Sequence, residues 1–231
     1  MIVFTSDIDW APDEVIFDTI KIFEKFNVKC TFFCTHKSKI LDECNRDLFE
    51  LGIHPNFNPS LIDGKKIKAD KIIESLLSIF PESRGVRSHS TTSSSNLLDI
   101  FKKKGLLYES NQFMPYNWDI KPYNCWTGLT RIPYNWEDDT HWLYNKSFDF
   151  DILKDYKKEN LIILDFHPIH IFLNTDSQDT YDRAKPYYQN PEKLLTFKNN
   201  KEFGTRDFLI KTLNELKKRK LSTYKMIELI N

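Results

Sequence analysis

In the stretch IVFTSDIDW, residues 2–10, an apolar segment runs directly into two carboxylates. Its apolar start predicts a strand, and Asp7 and Asp9 follow at the carboxyl end of that strand. Side chains two positions apart on a strand point to the same face, and two like charges on one face repel each other. Either both carboxylates therefore face water, or a positively charged group lies between them.

Outward from this strand, the chain alternates between predicted strands and predicted amphipathic helices. The helices are predicted over residues 12–27, 69–80, 95–105 and 206–220. Another helix is predicted over about residues 38–50, stopped by Gly52. Strand–helix units of roughly 25 to 30 residues are the pattern of parallel βαβ architecture. With no composition break, we expect a single α/β domain over residues 1–231.

Two long stretches, residues 111–149 and 171–204, interrupt this alternation and are predicted to be loops. Loops of this length in a compact domain are usually functional or disordered. The first is rich in Trp, Tyr, Asn and Pro, a composition that suits sugar binding, because rings stack on a sugar while polar groups bond its hydroxyls. For residues 171–204, sugar binding and an ordinary surface loop are equally supported.

Composition and charge exclude several classes of protein. The 33 basic and 33 acidic residues leave a formal net charge of zero, which argues against a nucleic-acid-binding protein. Neither a dinucleotide-binding nor a P-loop glycine motif is present. No apolar run is long enough for a membrane span, and the N-terminus lacks the pattern of a signal peptide. The expectation is a cytoplasmic protein without membrane insertion, whose oligomeric state stays open.

Ionisable side chains follow four of the predicted strands, at the point where each strand ends. They are Asp7 and Asp9, His54, Arg87 and His89, and Asp165 and His167. Active sites of parallel βα folds collect at this edge of the sheet. A carboxylate and an imidazole suit a divalent metal such as Zn²⁺, while a second carboxylate can act as a general base. Together these residue types predict metal-assisted hydrolysis of an amide or ester.

Five stretches occur in the order and at the spacing of a known set of motifs. They are FTSDIDW (4–10), GIHPNFNP (52–59), GVRSHS (85–90), PYNWEDD (133–139) and ILDFHP (163–168). In these stretches the chain resembles the polysaccharide deacetylases of carbohydrate esterase family 4, in the variant of surface-polysaccharide and O-antigen biosynthesis clusters. The resemblance implies a distorted (β/α)7 barrel.

The same resemblance implies a role for each matched residue. Asp7 would be the general base, steadied by Arg87, and His167 the general acid. Asp9 and His54 would be metal ligands, with Zn²⁺ the expected cofactor. The fourth motif would supply the substrate-binding residues: Trp136 would shape the pocket, and Asp138 or Asp139 would orient the acid.

One position departs from the family pattern, because Asn58 stands where the second motif has its second histidine. An amide oxygen is a weaker ligand for Zn²⁺ than an imidazole. Asn58 could still bind through its carbonyl oxygen, His89 or His170 could replace it, or the site could be poor in metal. We expect a retained metal, with Asp9, His54, Asn58 and His89 as the candidate ligands.

The function expected from the residues and the resemblance is metal-dependent removal of an N-acyl group, such as acetyl, from a carbohydrate or sugar precursor. One alternative is hydrolysis of another non-peptide C–N bond, by a deformylase or a ureide amidase that works with or without a metal. The other is a non-catalytic carbohydrate-binding member of the fold. The expected partner is a carbohydrate or sugar-precursor substrate. No nucleic-acid partner is expected.

Overall fold

The computed structural model describes residues 1–61, 67–154 and 156–230. Its strands are β1 (Ile2–Asp7), β2 (Cys30–Cys34), β3 (Phe49–Ile53), β4 (Gly85–Val86), β5 (Tyr108–Glu109), β6 (Tyr123–Asn124), β7 (Thr130–Arg131), β8 (Trp136–Glu137), β9 (Ile162–Phe166) and β10 (Thr223–Tyr224). Its α-helices are α1 (Asp13–Phe26), α2 (Lys39–Asp42), α3 (Asn58–Leu61), α4 (Ala69–Ile79), α5 (Ser95–Lys103), α6 (Asp138–Leu143), α7 (Pro168–Leu173), α8 (Gln178–Ala184), α9 (Pro191–Leu195) and α10 (Thr205–Arg219).

The strands form one curved sheet in the order β6-β7-β5-β4-β3-β2-β1-β9-β8, with β10 paired to β1. Among the described residues, every pairing between these strands is parallel except that of β6 with β7. β1 lies between β2 and β9, the two neighbours with which it has its longest pairings. A parallel sheet that is covered by helices confirms the predicted α/β class.

The two faces of β1 serve different halves of the fold. Ile2 and Phe4 belong to the apolar cluster that includes the buried faces of the helices. Val3 belongs to a second apolar cluster, which also contains Tyr134 and Ile163. Side chains alternate along a strand, so Asp7 shares the face of Val3 rather than that of Phe4. The carboxylate is therefore directed to the inside of the curved sheet, away from the helical layer.

Gly52 serves the sheet and does not end a helix as predicted. A Cβ atom at this position would lie 2.7 Å from the ring of Phe33 on the neighbouring strand. The predicted helix over residues 38–50 is wrong: the structure has the short α2, a turn, and then β3 from Phe49. β3 pairs with β2 along its whole length, and this tertiary pairing outweighs the local helical pattern.

The long stretch over residues 171–204 is not the continuous loop that was predicted. It contains the end of α7, the short helices α8 and α9, and a 3-10 turn at Lys185–Tyr187. Residues 111–149 hold three two-residue strands and α6, joined by irregular segments. Within the described ranges, no helix is long and apolar enough to cross a membrane.

Candidate active site

A cavity of about 440 Å³ opens at the carboxyl ends of the central strands. Asp7, Asp9, His54, His89 and His167 all line it, so residues from β1, β3, β4 and β9 and the turns that follow them meet at one place. The sheet brings them together because the carboxyl ends of parallel strands share one edge.

Asp7 is buried and held by a guanidinium group that is itself fully buried. Arg87 Nη1 donates to Asp7 Oδ1 over 3.0 Å, and its Nε donates to the carbonyl oxygen of Ser110 over 3.1 Å. The guanidinium lies between two rings, 4.6 Å from the centroid of Phe33 and 4.2 Å from that of Tyr134. These contacts fix one oxygen of Asp7, while its other oxygen, Oδ2, lies 3.6 Å from His54 Nδ1.

Asp9 lies in a turn whose backbone is unusual for side chains of this size. Its φ is 39°, and that of Trp10 is 59°, in the left-handed region that costs most residues free energy. Hydrogen bonds from distant segments hold the turn: Tyr188 donates to the carbonyl of Asp9, and Gln189 to that of Trp10, both over 2.8 Å. The polar stretch 171–204 therefore supports the active-site turn.

Two imidazole rings converge on a single oxygen of Asp9. His54 Nε2 lies 3.2 Å and His89 Nδ1 3.1 Å from Asp9 Oδ1. Burial raises the pKa of Asp9, but hydrogen bonds from both histidines outweigh it and hold that pKa well below its usual range. Burial lowers the pKa of His54, and Asp7 and Asp9 more than offset this, so the net shift is upward. The cluster favours positive charge.

The donor set of this cluster fits a divalent metal. One ligand atom from each of Asp9, His54 and His89 lies within 4.8 Å of the others, which brings one oxygen and two nitrogens together. Two imidazoles and a carboxylate are a common protein ligand set for Zn²⁺. The buried ring of His54 and the partly buried ring of His89 face one carboxylate oxygen, an arrangement that a shared cation would stabilise.

Asn58 is placed beside this cluster and not in the cavity wall. Its Nδ2 donates to Ser90 Oγ over 3.0 Å, and its backbone N–H donates to Asn56 Oδ1 over 2.9 Å. Ser90 is the neighbour of His89 and has a positive φ of 55°. The amide of Asn58 thus supports the turn that carries His89, and the structure offers His89 as the third ligand of the set.

His167 is held by Asp138 through two hydrogen bonds. Its Nδ1 donates to Asp138 Oδ1 over 2.7 Å, and its backbone N–H donates to Asp138 Oδ2 over 2.9 Å. Burial lowers the pKa of His167, but the charge of Asp138 outweighs this and raises it well above its usual range. Burial raises the pKa of Asp138 to about 6, against the opposing effect of His167. The pair therefore keeps a proton on His167 near neutral pH.

Two further residues considered from the sequence, Trp136 and His170, are buried. Trp136 packs in the core against Phe166 and Phe208, is 1% exposed, and donates its indole N–H to His141. It cannot stack on a sugar, and its role is to pack β8 against the helices. His170 lies beside His167, with ring centroids 5.5 Å apart, and its Nδ1 is paired with Thr175 Oγ1. Neither side chain is among the described residues that line the cavity.

A buried carboxylate to which the sequence assigned no role lies next to the site. Asp165 accepts hydrogen bonds from Thr5 Oγ1 and from the same Arg87 Nη1 that holds Asp7. Burial raises the pKa of Asp165 to about 7, although Arg87 opposes this rise. The alternating positions of Thr5 and Asp7 could have pointed to an interior polar face. The contact across 78 positions between Arg87 and Asp165 had no signal in the sequence.

Fold and cavity together define an α/β protein with a curved parallel sheet and a carboxylate–imidazole site at its carboxyl edge. The chain belongs to the WbmS-like polysaccharide deacetylases, whose family model matches residues 4–185. This family hydrolyses amide C–N bonds in carbohydrates. The expected family membership, enzyme class and barrel-type fold are thereby confirmed.

Solved structures agree with this assignment. The chain is 38% identical to WbmS of Bordetella bronchiseptica, described as a candidate polysaccharide deacetylase involved in O-antigen biosynthesis, with a TM-score of 0.87 over 93% of this chain and 90% of that one. A peptidoglycan N-acetylglucosamine deacetylase shares the fold at 13% identity and a TM-score of 0.52, over 99% and 87% of the two chains. A family 4 esterase of Streptococcus mutans does so at 14% identity and a TM-score of 0.50, over 97% and 85%. No curated protein matches this chain.

Proposed function

We propose that this chain is a metal-dependent N-deacetylase that acts on an amino sugar of a polysaccharide or its precursor. One observation carries the proposal: three potential metal ligands line the same cavity as Asp7 and His167. Hydrogen bonds from Arg87 and to Asp138 hold these last two side chains in place. Asp9, His54 and His89 would hold a divalent ion such as Zn²⁺, which when bound lowers the pKa of water and polarises an acyl carbonyl.

In this proposal Asp7 is the general base. Arg87 engages its Oδ1, which leaves Oδ2 to accept a proton from the attacking water. The contact with Arg87 fixes the direction of the carboxylate, because the guanidinium is held by further bonds to Thr5 and Ser110. Proton transfer then needs no reorientation of the base, which is how preorganised groups lower a barrier.

His167 is the general acid. Asp138 occupies its Nδ1, so Nε2 is the nitrogen that faces the cavity, 3.7 Å from Asp9 Oδ2. The raised pKa keeps this ring protonated near neutral pH, ready to give its proton to the leaving amine. The base and the acid are thus held by different partners, Arg87 and Asp138. One site can therefore contain a proton acceptor and a proton donor.

The Bordetella protein is described as involved in O-antigen biosynthesis, which supports a substrate from surface-polysaccharide synthesis for this chain. A nucleotide- or lipid-linked sugar precursor is an example. Hydrolysis of another C–N bond would use the same base and acid, so the assay should include N-formyl as well as N-acetyl sugars. Release of acetate from N-acetyl sugars, with no release from N-formyl or ureide substrates, would support the proposed reaction.

The metal content of matched variants tests the proposed ligand set. His89→Ala is expected to lower the bound divalent metal per chain by about tenfold or more at a fixed, limiting metal concentration, because one of three protein ligands is lost. Asn58→Ala is the comparison variant: it removes the rival candidate ligand and its bond to Ser90 but none of the three proposed ligands, so it should lose less metal than His89→Ala. Metal is measured by elemental analysis after each purified variant has been equilibrated with that metal concentration and the free metal has been removed.

Two outcomes would contradict this ligand set. Loss of metal in Asn58→Ala but not in His89→Ala would make Asn58 the third ligand. No stoichiometric metal in the wild-type protein, even after incubation with Zn²⁺ and removal of the excess, would favour a metal-free hydrolase or a binding protein.

Replacement of Asp138 tests the acid through the pH dependence of the reaction. The Asp138 carboxylate raises the pKa of His167, so Asp138→Asn should lower that pKa and deprotonate the acid at a lower pH. The alkaline limb of kcat/KM against pH is expected to move downward by about one to three units. Asp149→Asn, an exposed carboxylate paired with Lys211, is the control that should leave the profile unchanged. An unmoved alkaline limb in Asp138→Asn would rule out His167 as the titrating acid.

A further inference from the structure

One wall of the cavity is not used by the roles given above. It runs from the end of β8 along α6 and is lined by Glu137, Asp139, Thr140, Leu143 and Tyr144. Leu143 and Tyr144 are both more than half exposed, so their apolar surfaces are open to a ligand. We call this set the α6 wall.

The α6 wall lies next to the proposed acid. One oxygen of Glu137, one oxygen of Asp139 and a ring nitrogen of His167 lie within 4.8 Å of one another. The acid has to contact the leaving nitrogen, and in deacetylation that nitrogen stays on the sugar. The sugar, and not the acyl group, is therefore the part of the substrate that meets the α6 wall.

Asp139 offers a hydrogen-bond acceptor on the α6 wall. Its Oδ1 accepts from the backbone N–H of Thr140 over 2.5 Å and from Thr140 Oγ1 over 3.2 Å. These two bonds orient the carboxylate, and within the described part of the chain its Oδ2 has no protein hydrogen-bond donor. The carboxylate that carries this oxygen is thus held next to the position where the leaving amine is protonated.

Glu137 is linked to Asp139 through the hydroxyl of Thr140. Its two oxygens are already in contact with protein groups, Thr140 Oγ1 at 2.6 Å and the hydroxyl of Tyr134 at 3.3 Å. Burial, followed by the charge of Asp139, raises the pKa of Glu137 well above its usual range. A protonated Glu137 can donate to Thr140 Oγ1, which frees the threonine hydroxyl to donate to Asp139. The negative charge of the wall then rests on Asp139.

We propose that Asp139 selects the sugar by charge. It accepts hydrogen bonds from a hydroxyl or ammonium group of the sugar, and it repels a carboxylate or phosphate at the same position. Among the described residues that line the cavity there is no lysine or arginine to compensate such an anion. The inference rests on the proposed function: the favoured substrate is an N-acetylamino sugar whose ring carries no acidic group, whatever carrier the sugar is linked to, and N-acetylaminouronic acids are disfavoured.

Matched pairs of sugars test this selection. Each pair is the methyl glycoside of an N-acetylhexosamine and its 6-carboxylate, in the gluco, galacto and manno configurations, and acetate release is measured with the metal-loaded enzyme. The wild-type enzyme should favour the neutral member by about tenfold or more in kcat/KM, since like charges in contact are strongly unfavourable. Asp139→Asn keeps the Oδ1 contacts and should bring that ratio close to one, mainly by improving KM for the acidic sugar.

Asp119→Asn is the matched control, because it removes a carboxylate that is 92% exposed and is not among the cavity-lining residues. Its substrate ratio should equal that of the wild type. Calorimetric titration of the same pairs measures binding without turnover, and so separates the proposed deacetylation from the proposed charge selection by Asp139. Charge-selective binding without acetate release would refute deacetylation of these sugars and support Asp139. Acetate release with a ratio that Asp139→Asn leaves unchanged would refute the role of Asp139 alone.

Discussion

Asp7→Asn is expected to lower the rate of deacetylation by about a thousandfold, within the range that general acid–base catalysis contributes. The reason is chemical and not structural. An amide oxygen can still accept the hydrogen bond from Arg87 Nη1, but an amide cannot take a proton from water. The measurement is acetate release under saturating substrate, together with kcat/KM for the same substrate.

Folding and metal binding should survive this substitution. Arg87 keeps a second carboxylate, because Asp165 accepts from the same Nη1 atom, and the proposed ligands Asp9, His54 and His89 are untouched. The melting temperature and the metal content of Asp7→Asn should therefore stay close to those of the wild type.

Asp165→Asn is the matched control for Asp7→Asn. It also removes a carboxylate from Arg87, but Asp165 is fully buried and is not among the described cavity-lining residues. We expect it to retain most of the wild-type kcat. Equal losses in the two variants would show that the charge on Arg87, and not a proton acceptor in the cavity, is what the reaction needs. Normal turnover in Asp7→Asn would remove Asp7 from the mechanism.

The interior placement of Asp7 could be predicted because it depends on local rules. Two-residue periodicity puts Val3, Thr5 and Asp7 on one face of β1, and parallel strands deliver their carboxyl ends to one edge. The same rules apply to His54 and His167, which follow β3 and β9. Their convergence on one cavity therefore needed no knowledge of distant contacts.

What could not be predicted depends on contacts between segments far apart in the sequence. Phe49 reads as part of a helical segment, yet it begins β3, because its pairing with β2 decides its conformation. Trp136 is aromatic and next to site residues, but only its packing against Phe166 and Phe208 shows that it belongs to the core. Asn58 and His89 could not be ranked as ligands until the bond from Asn58 to Ser90 was seen.

The second large effect is expected on stability, from Arg87→Met. Arg87 is fully buried, and its Nη1 donates to Thr5, to Asp7 at 3.0 Å and to Asp165. Removal of one partner from a buried ion pair costs about 3 to 5 kcal/mol, because the remaining charge is left uncompensated. Here two carboxylates lose their cation, so we expect at least that loss in the free energy of unfolding, measured by urea denaturation at pH 7.

A double substitution separates this loss of charge compensation from a loss of packing. Methionine fills much of the space between the rings of Phe33 and Tyr134, so the uncompensated charge should dominate the cost. Asp165→Asn in the Arg87→Met background should therefore restore part of the stability, while a defect of packing alone would not respond to it. Arg87→Met is expected to be inactive as well, but only the recovery of stability identifies charge as the cause.

The pH dependence of stability tests independently whether uncompensated charge destabilises Arg87→Met. Burial raises the pKa of Asp165 to about 7 even beside Arg87, so between its ordinary value of 3.8 and about 7 the folded protein binds this proton more tightly than the unfolded chain does. The contribution of Asp165 to stability therefore falls as pH rises through this window. Without Arg87 the pKa of Asp165 rises further, so Arg87→Met should lose stability more steeply toward alkaline pH and lie closer to the wild type near pH 5. A deficit that is constant from pH 5 to pH 9 would contradict the view that Arg87→Met is destabilised by uncompensated charge on the two carboxylates.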